Sequence, residues 1–194
     1  MKKQRNIQAI HWVILFLSYC LSNMAYSQAR LRPADWGNKV IGTSLDNLYQ
    51  MDKGVYRSNQ PSDDAFIELK EMGIQEVLNL RRYHSDDDEA KGLGLRLHHL
   101  KLNAGSINED HLIRALKIIK NRTGPIVFHC WHGSDRTGAV AAAYRVIFND
   151  WSKQQAIDEL VNGGYGYHAR IYGNIIDLIE SMDVKHMKFH LNEP

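Results

Sequence analysis

The chain has 194 residues, 44% hydrophobic and 24% charged, with 24 Lys and Arg against 22 Asp and Glu. That length suits one domain with a substantial core and leaves no room for two comfortable ones. The balance of apolar and charged residues is that of an ordinary soluble globular protein, and no basic patch argues for nucleic acid as a partner.

The N-terminus departs from this average. Lys2, Lys3 and Arg5 precede an apolar stretch from Ile10 to Leu21 that only His11 and Ser18 interrupt. Ala25-Tyr26-Ser27 then offers small residues for a cleavage before Gln28. This is the pattern of a secretory signal peptide over residues 1–27, and it predicts an exported protein, periplasmic or secreted. Its rival is an uncleaved leader that anchors the chain in a membrane, the single route to a membrane partner. Lipidation at Cys20 is disfavoured by Tyr19, which is bulky where lipoprotein signals carry a small residue. Cleavage removes three of the 24 basic residues and none of the 22 acidic ones, leaving a near-neutral domain with 21 against 22. It also leaves one cysteine, Cys130, so no internal disulfide supports the fold and no second thiol protects an oxidised one.

A lead-in segment at 28–46 is followed by a domain over 47–183 and a loose tail at 184–194. Asn47–Met51 and Val55–Arg57 flank Asp52-Lys53-Gly54, a hairpin with glycine at a left-handed position. Pro61-Ser62 opens a helix to about Met72 with Phe66, Leu69 and Met72 on one face, and Gly73 stops it. Ile74–Leu80 reads as a buried strand, Arg81–Asp88 as a charged loop, Glu89–Leu95 as a short helix, and Leu95–Leu102 as a strand with one covered face. Asn108 caps a helix to about Lys120, and Gly124-Pro125 separates it from the strand that follows. Helices near 137–149, 153–162 and 170–182 complete the chain, the second capped by Ser152. Strands alternating with helices predict an α/β fold with a central, largely parallel sheet flanked by helices. Ligands of such sheets sit beyond the carboxyl ends of the strands.

At one such end stands His129-Cys130-Trp131-His132-Gly133-Ser134-Asp135-Arg136-Thr137-Gly138, between the run Pro125–Phe128 and the alanine-rich helix from Ala139. A loop of this length can wrap an oxyanion with its backbone amides from Trp131 to Arg136 pointing inward. Gly133 allows the turn, and Arg136 offers a planar fork of donors for two phosphate oxygens. Cys130 lies at the floor, where a helix N-terminus and a guanidinium both favour its thiolate. The bland alternative is a buried small hydrophobe. Metal binding by His129, Cys130 and His132 lacks a fourth ligand at zinc spacing, and neither metal nor cofactor is called for.

The stretch from His129 to Gly138 resembles the signature loop of the cysteine-dependent protein tyrosine phosphatase superfamily, in its compact dual-specificity branch. Val55–Pro61 and Val77–Arg81 are similar to the entry segments of bacterial members, so the resemblance covers roughly Leu48 to Ile179. It implies hydrolysis of a phosphomonoester through a phosphocysteine, with His129 bracing the loop. The thiolate attacks phosphorus, the leaving oxygen takes a proton, and water then releases phosphate. Arg136 and the loop amides stabilise the equatorial charge, and the Thr137 hydroxyl is free to donate to the thiolate. Many relatives carry the acid on a separate loop, but Leu102–Ile107 holds no aspartate. The resemblance points to Asp135, because some relatives with an aspartate directly before the loop arginine use it as the acid, and a nearby phosphate dianion favours its protonated form. Its rivals are Glu109 and Asp110, no side-chain acid at all, or a plain helix-capping role for Asp135.

His132 belongs at the rim. Arg57, Asn79 and Arg81 either support the loop from neighbouring strand ends or are ordinary surface residues. Trp131 and Tyr165-Gly166-Tyr167-His168 either line the cleft or belong to the core. The expected substrate is a phosphorylated protein or a small phosphomonoester. A phosphoinositide or inositol phosphate is the alternative within the enzyme class. A phosphate-binding pseudophosphatase is the alternative outside it.

Overall fold

The computed structural model describes residues 32–193, so the expected leader at 1–27 lies outside the described residues. Among the described residues, six strands form one sheet: β1 (Asn38–Lys39), β2 (Tyr49–Asp52), β3 (Val55–Ser58), β4 (Glu76–Asn79), β5 (Arg96–His99) and β6 (Ile126–His129). Six α-helices accompany them: α1 (Asp63–Glu71), α2 (Glu109–Lys120), α3 (Asp135–Phe148), α4 (Lys153–Asn162), α5 (Asn174–Ser181) and α6 (Val184–Asn192). The strand order is β1-β2-β3-β6-β4-β5. Strands β3, β6, β4 and β5 run parallel, and β1 and β2 add an antiparallel edge. The expected largely parallel α/β sheet is present.

Alternation along each strand splits the core into two layers. Leu78 and Phe128 face a large cluster with Leu112, Leu116, Val140 and Ile175, whereas Val77 and Val127 face a smaller one with Phe66 and Leu69 of α1. Because β3, β6 and β4 are parallel neighbours, their carboxyl ends deliver Ser58, His129 and Asn79 side by side. The loops beyond those three ends build the site.

Local chemistry explains the elements. Gly54, at φ 71°, makes the β2–β3 turn. Ser62, Asn108 and Ser152 each accept a backbone N–H at the start of their helices, the last two within capping boxes.

Four expectations need correction. Glu89–Leu95 forms turns instead of a helix, because Gly92 and Gly94 adopt φ 80° and 65°, outside helical space. The helix expected from 170 starts only at Asn174, after a turn in which the His168 carbonyl accepts from the Ile171 and Tyr172 amides. The segment before residue 47 belongs to the domain: Trp36 and Leu45 are buried, β1 pairs with β2, and the compact unit begins at Asp35. Residues expected as a loose tail form α6. Its Met187 and Leu191, one turn apart, are buried in the large cluster, and Asp183 caps it by accepting from Lys185 and His186. No helix among the described residues is long and apolar enough to cross a membrane.

Candidate active site

The Cys130 loop is held from outside by its carbonyl oxygens. Trp131 O accepts from the Gln60 amide at 3.0 Å, His132 O from Asn47 Nδ2 at 2.8 Å, and Gly133 O from Arg57 Nη2 at 2.7 Å. With three successive carbonyls turned outward, the amides are left for the opposite side. Among the described residues none of the amides of Trp131–Asp135 donates to a protein acceptor. Nor does any side chain cap α3 at Ser134. These orphan donors and the positive end of α3 make an anion cradle. Gly133 sits at φ 74°, and a Cβ there would stand 2.6 Å from Ser58 O and 2.7 Å from Asn59 N. Only glycine fits where the loop presses on the end of β3.

Cys130 is 2% exposed, at the tip of β6. Two arginines, Arg57 and Arg81, interact electrostatically with it. Arg57 is fully buried, its guanidinium 3.7 Å from the centre of the Tyr165 ring. Burial pulls its pKa below the usual arginine value, while Tyr165, Glu159 and Cys130 act to restore it. Arg81 is also lowered, by burial and by the neighbouring Arg136 guanidinium, with Asp86, Glu89 and Cys130 opposing. Arg81 and Arg136 line the same hollow, so positive charge is gathered beside the loop. Arg136 is half-buried and makes one long contact, 3.5 Å to Leu80 O, so its fork remains available.

Above the loop lies a hollow of about 490 Å³ to which Arg81, Arg82, Arg136, Trp131 and Tyr172 all contribute. Trp131 is 52% exposed, with Arg81 4.3 Å over its ring. Its other side faces a second hollow of about 490 Å³ that includes Asn47, Gln60 and His132. Trp131 therefore belongs to the cleft and not to the core.

His129, expected to brace the loop, contacts it at Cys130 O and is held by a partner the sequence reading missed. It is fully buried, with Nε2 2.8 Å from Asp86 Oδ2 and Nδ1 3.3 Å from Cys130 O. Burial would push the Asp86 carboxyl up, but hydrogen bonds from His129 and Gln60 outweigh it and hold the group below the usual aspartate range. Among the described residues, His84, Asp86 and Glu89 group their ligand-type atoms within 4.8 Å. His84 Nε2 lies 2.8 Å from Glu89 Oε1 without forming a hydrogen bond, while Asp86 is bonded to His129. Asn79 and Arg81 act as support as well. Asn79 Oδ1 accepts from the Arg81 amide at 2.8 Å, and Arg81 Nη1 donates to Gln60 Oε1 at 2.9 Å.

The remaining predicted residues divide. Ser134 turns its hydroxyl to Tyr165 O at 2.8 Å, away from any ligand. The Thr137 hydroxyl is buried without a hydrogen-bond partner among the described residues, so the expected bond to Cys130 is not formed. Asp135 is buried, and His168 holds both of its carboxylate oxygens. The His168 amide donates to Oδ1 at 3.0 Å, and ring Nδ1 lies 3.2 Å and 3.0 Å from Oδ1 and Oδ2. Glu109 and Asp110, the rival acids, are not brought to the loop. Glu109 accepts from the Asp183 amide at 2.9 Å, Asp110 pairs with Arg114 at 3.1 Å, and both face a separate hollow beside His186.

Sequence reasoning missed Asp86, Gln60 and Asn47 because their contacts span 43, 71 and 85 residues and leave no local pattern. His168 carried a signal, the aromatic run after Gly164, whose glycines at φ 75° and 78° shape the loop.

Known proteins share this arrangement. Residues 51–150 match the family model described as "Polymorphic toxin system, DSP-PTPase phosphatase". The dual specificity protein phosphatase TpbA of Pseudomonas aeruginosa is 34% identical over 147 residues, covering 73% of this chain and 65% of that protein. An inositol diphosphatase of Oryza sativa subsp. japonica is 26% identical over 122 residues, covering 58% of this chain and 59% of that protein. The chain thus spans less than two thirds of these curated relatives. The crystal structure of a Cys-to-Ser variant of P. aeruginosa TpbA in complex with phosphotyrosine superposes with a TM-score of 0.75, at 25% identity, covering 84% of this chain and 99% of that one. A buried cysteine at a strand tip, an amide cradle at a helix start and a family model over half the sequence agree: the chain belongs to the DSP-PTPase phosphatase family.

Proposed function

We propose that the protein is a cysteine-dependent phosphomonoester hydrolase of the dual-specificity type, acting on phosphotyrosine-bearing protein or a comparable monoester. The observation that carries this reading is the loop whose carbonyls are tied outward while its Trp131–Asp135 amides have no protein acceptor among the described residues, between a buried thiol and a half-buried arginine fork. The Cys130 thiolate attacks phosphorus in line with the leaving oxygen. The loop amides and Arg136 stabilise the charge on the three equatorial oxygens, where fixed dipoles in a dry site count most. The departing oxygen takes a proton, and water then cleaves the phosphocysteine. Arg57 and Arg81 supply positive potential at the sulfur. The expected result is that Cys130→Ser abolishes turnover of p-nitrophenyl phosphate while binding of a non-covalently held oxyanion, tungstate, survives. Equal turnover by both proteins would defeat the assignment, and loss of tungstate binding by the parent would defeat the cradle.

A second reading, turnover of an inositol polyphosphate, is favoured by one observation. Arg82 joins Arg81 and Arg136 around a single hollow, more positive charge than one monoester requires. If that reading holds, Arg82→Ala raises KM for an inositol polyphosphate much more than for a phosphotyrosine peptide. Equal effects on the two favour the monoester. Export is proposed on the leader pattern at 1–27, and fractionation of cells carrying the full chain tests it.

A further inference from the structure

We infer that His168, oriented by Asp135, is the proton donor and acceptor of this site, so that the reaction runs on an Asp–His pair and not on a lone loop carboxyl. The inference rests on the phosphatase reading and specifies its acid. It starts from a conflict. Asp135 directly precedes Arg136 and is the acid that sequence alone favours, yet both of its oxygens are occupied by His168. A carboxylate that accepts a backbone N–H and a ring nitrogen is set up to orient an imidazole.

The imidazole is well held. The His168 amide is fixed by Asp135, and its carbonyl accepts from the Ile171 and Tyr172 amides at 2.9 Å and 3.0 Å. The segment is moored to the Cys130 loop on one side, where Ser134 Oγ and Asn47 Nδ2 both donate to Tyr165 O. On the other side Tyr172 contributes to the hollow of Arg81, Arg82 and Arg136. His168 lies between these two moorings, its ring centre 5.7 Å from that of His132 in the Cys loop. Its side chain is 42% exposed, against 10% for Asp135, so the imidazole and not the carboxylate is the part of the pair open to solvent.

The groups that face it are few. Asp135 comes from α3 and His132 from the Cys loop. From its own loop comes Tyr167, pushed up to about 12 by burial and by Asp135, which keeps its phenol neutral at working pH. Arg136 and Arg170 are the nearest cations in sequence. With Nδ1–H committed to Asp135, the proton on Nε2 is the one to move. In the first step the S–P bond forms, the P–O bond to the leaving group breaks, and Nε2 gives its proton to that oxygen. In the second step water attacks phosphorus, Nε2 takes its proton, and the S–P bond breaks to return thiolate and phosphate.

Phenyl phosphate, a poor leaving group, and p-nitrophenyl phosphate, a good one, test the assignment across pH. His168→Asn keeps a donor near the Nδ1 position but nothing to titrate at Nε2. It is expected to cut kcat on phenyl phosphate about 100-fold or more, cut it far less on p-nitrophenyl phosphate, and erase the alkaline limb of the kcat profile. Asp135→Asn is expected to lower kcat on both while the alkaline limb persists. Unchanged orthovanadate affinity in each variant shows an intact cradle. Equal loss on both substrates with an unaltered profile in His168→Asn would make the histidine structural and overturn the inference. So would an alkaline limb erased by Asp135→Asn but kept by His168→Asn, which would make Asp135 the donor. In either event Cys130→Ser still abolishes all turnover if the phosphatase reading is right.

Discussion

Single residues decide whether the cradle exists. Gly133 combines a positive φ with contact against the backbone of β3, so Gly133→Ala meets left-handed strain of about 1–2 kcal/mol and a steric clash together. It is expected to lower the melting temperature and abolish orthovanadate binding, both readable in one thermal-shift titration. Arg57 ties Gly133 O to the buried side of the site, so Arg57→Met leaves that carbonyl without its donor. The expected cost is about 1–3 kcal/mol in stability, with a rise in KM for p-nitrophenyl phosphate that steady-state kinetics measures. At this scale the sequence announced the cysteine, the fork and the glycine, because one loop holds them in ten consecutive residues. It was silent on Asp86 and Asn47, whose roles arise only when distant loops meet at neighbouring strand ends. Asp135 shows a subtler failure. Its position was legible and its partner was not, since a carboxyl beside a phosphate site reads the same whether it donates a proton or orients a histidine.

Among the elements, helices with polar caps were the most legible. Asn108 and Ser152 announced α2 and α4 because a side-chain acceptor, three residues before a matching partner, has few other uses. Strands came out shorter than their apolar runs, with β4 only Glu76–Asn79 of Ile74–Leu80 and β5 only Arg96–His99 of Leu95–Leu102. The C-terminal helix α6 escaped notice because its fully buried positions are only Met187 and Leu191, with Val184 partly buried beside them and Lys and His residues interspersed. Removing it is informative. Truncation after Asp183 exposes the surface that these two side chains cover, worth up to about 3–6 kcal/mol at 1.5–3 kcal/mol per buried side chain. A fall of several degrees in melting temperature is expected. An unchanged melting point would show that α6 adds nothing to the core.

On the scale of the whole molecule, buried ion pairs tie the N-terminal segment, the helices and the site together. Glu159 accepts from Arg145 Nε at 2.8 Å, from the Gly37 amide at 2.7 Å and from the Tyr165 hydroxyl at 2.8 Å. Burial alone would raise its pKa, but Arg145 and these donors hold it below the usual glutamate range. A carboxyl lowered by folding stabilises fully above its unfolded pKa, about 4.3, and loses that contribution as pH falls through the folded value. Glu159→Gln strands Arg145 and is expected to cost about 3–5 kcal/mol near neutrality. The gap to the parent should close below about pH 4, which melting curves at several pH values would reveal. The parallel sheet itself was readable from strands alternating with helices. Which strand lies at its centre was not, because β6 enters between β3 and β4 from a distance of 47 residues or more in sequence. One product of that arrangement is an indole standing in the open between two hollows, with a guanidinium stacked upon it. Of the other described tryptophans, Trp36 is buried and Trp151 is partly buried, away from these hollows. The molecule thus carries its own optical gauge: an oxyanion that draws Arg81 off the ring should change the emission of Trp131, reporting occupancy without a label or a turnover.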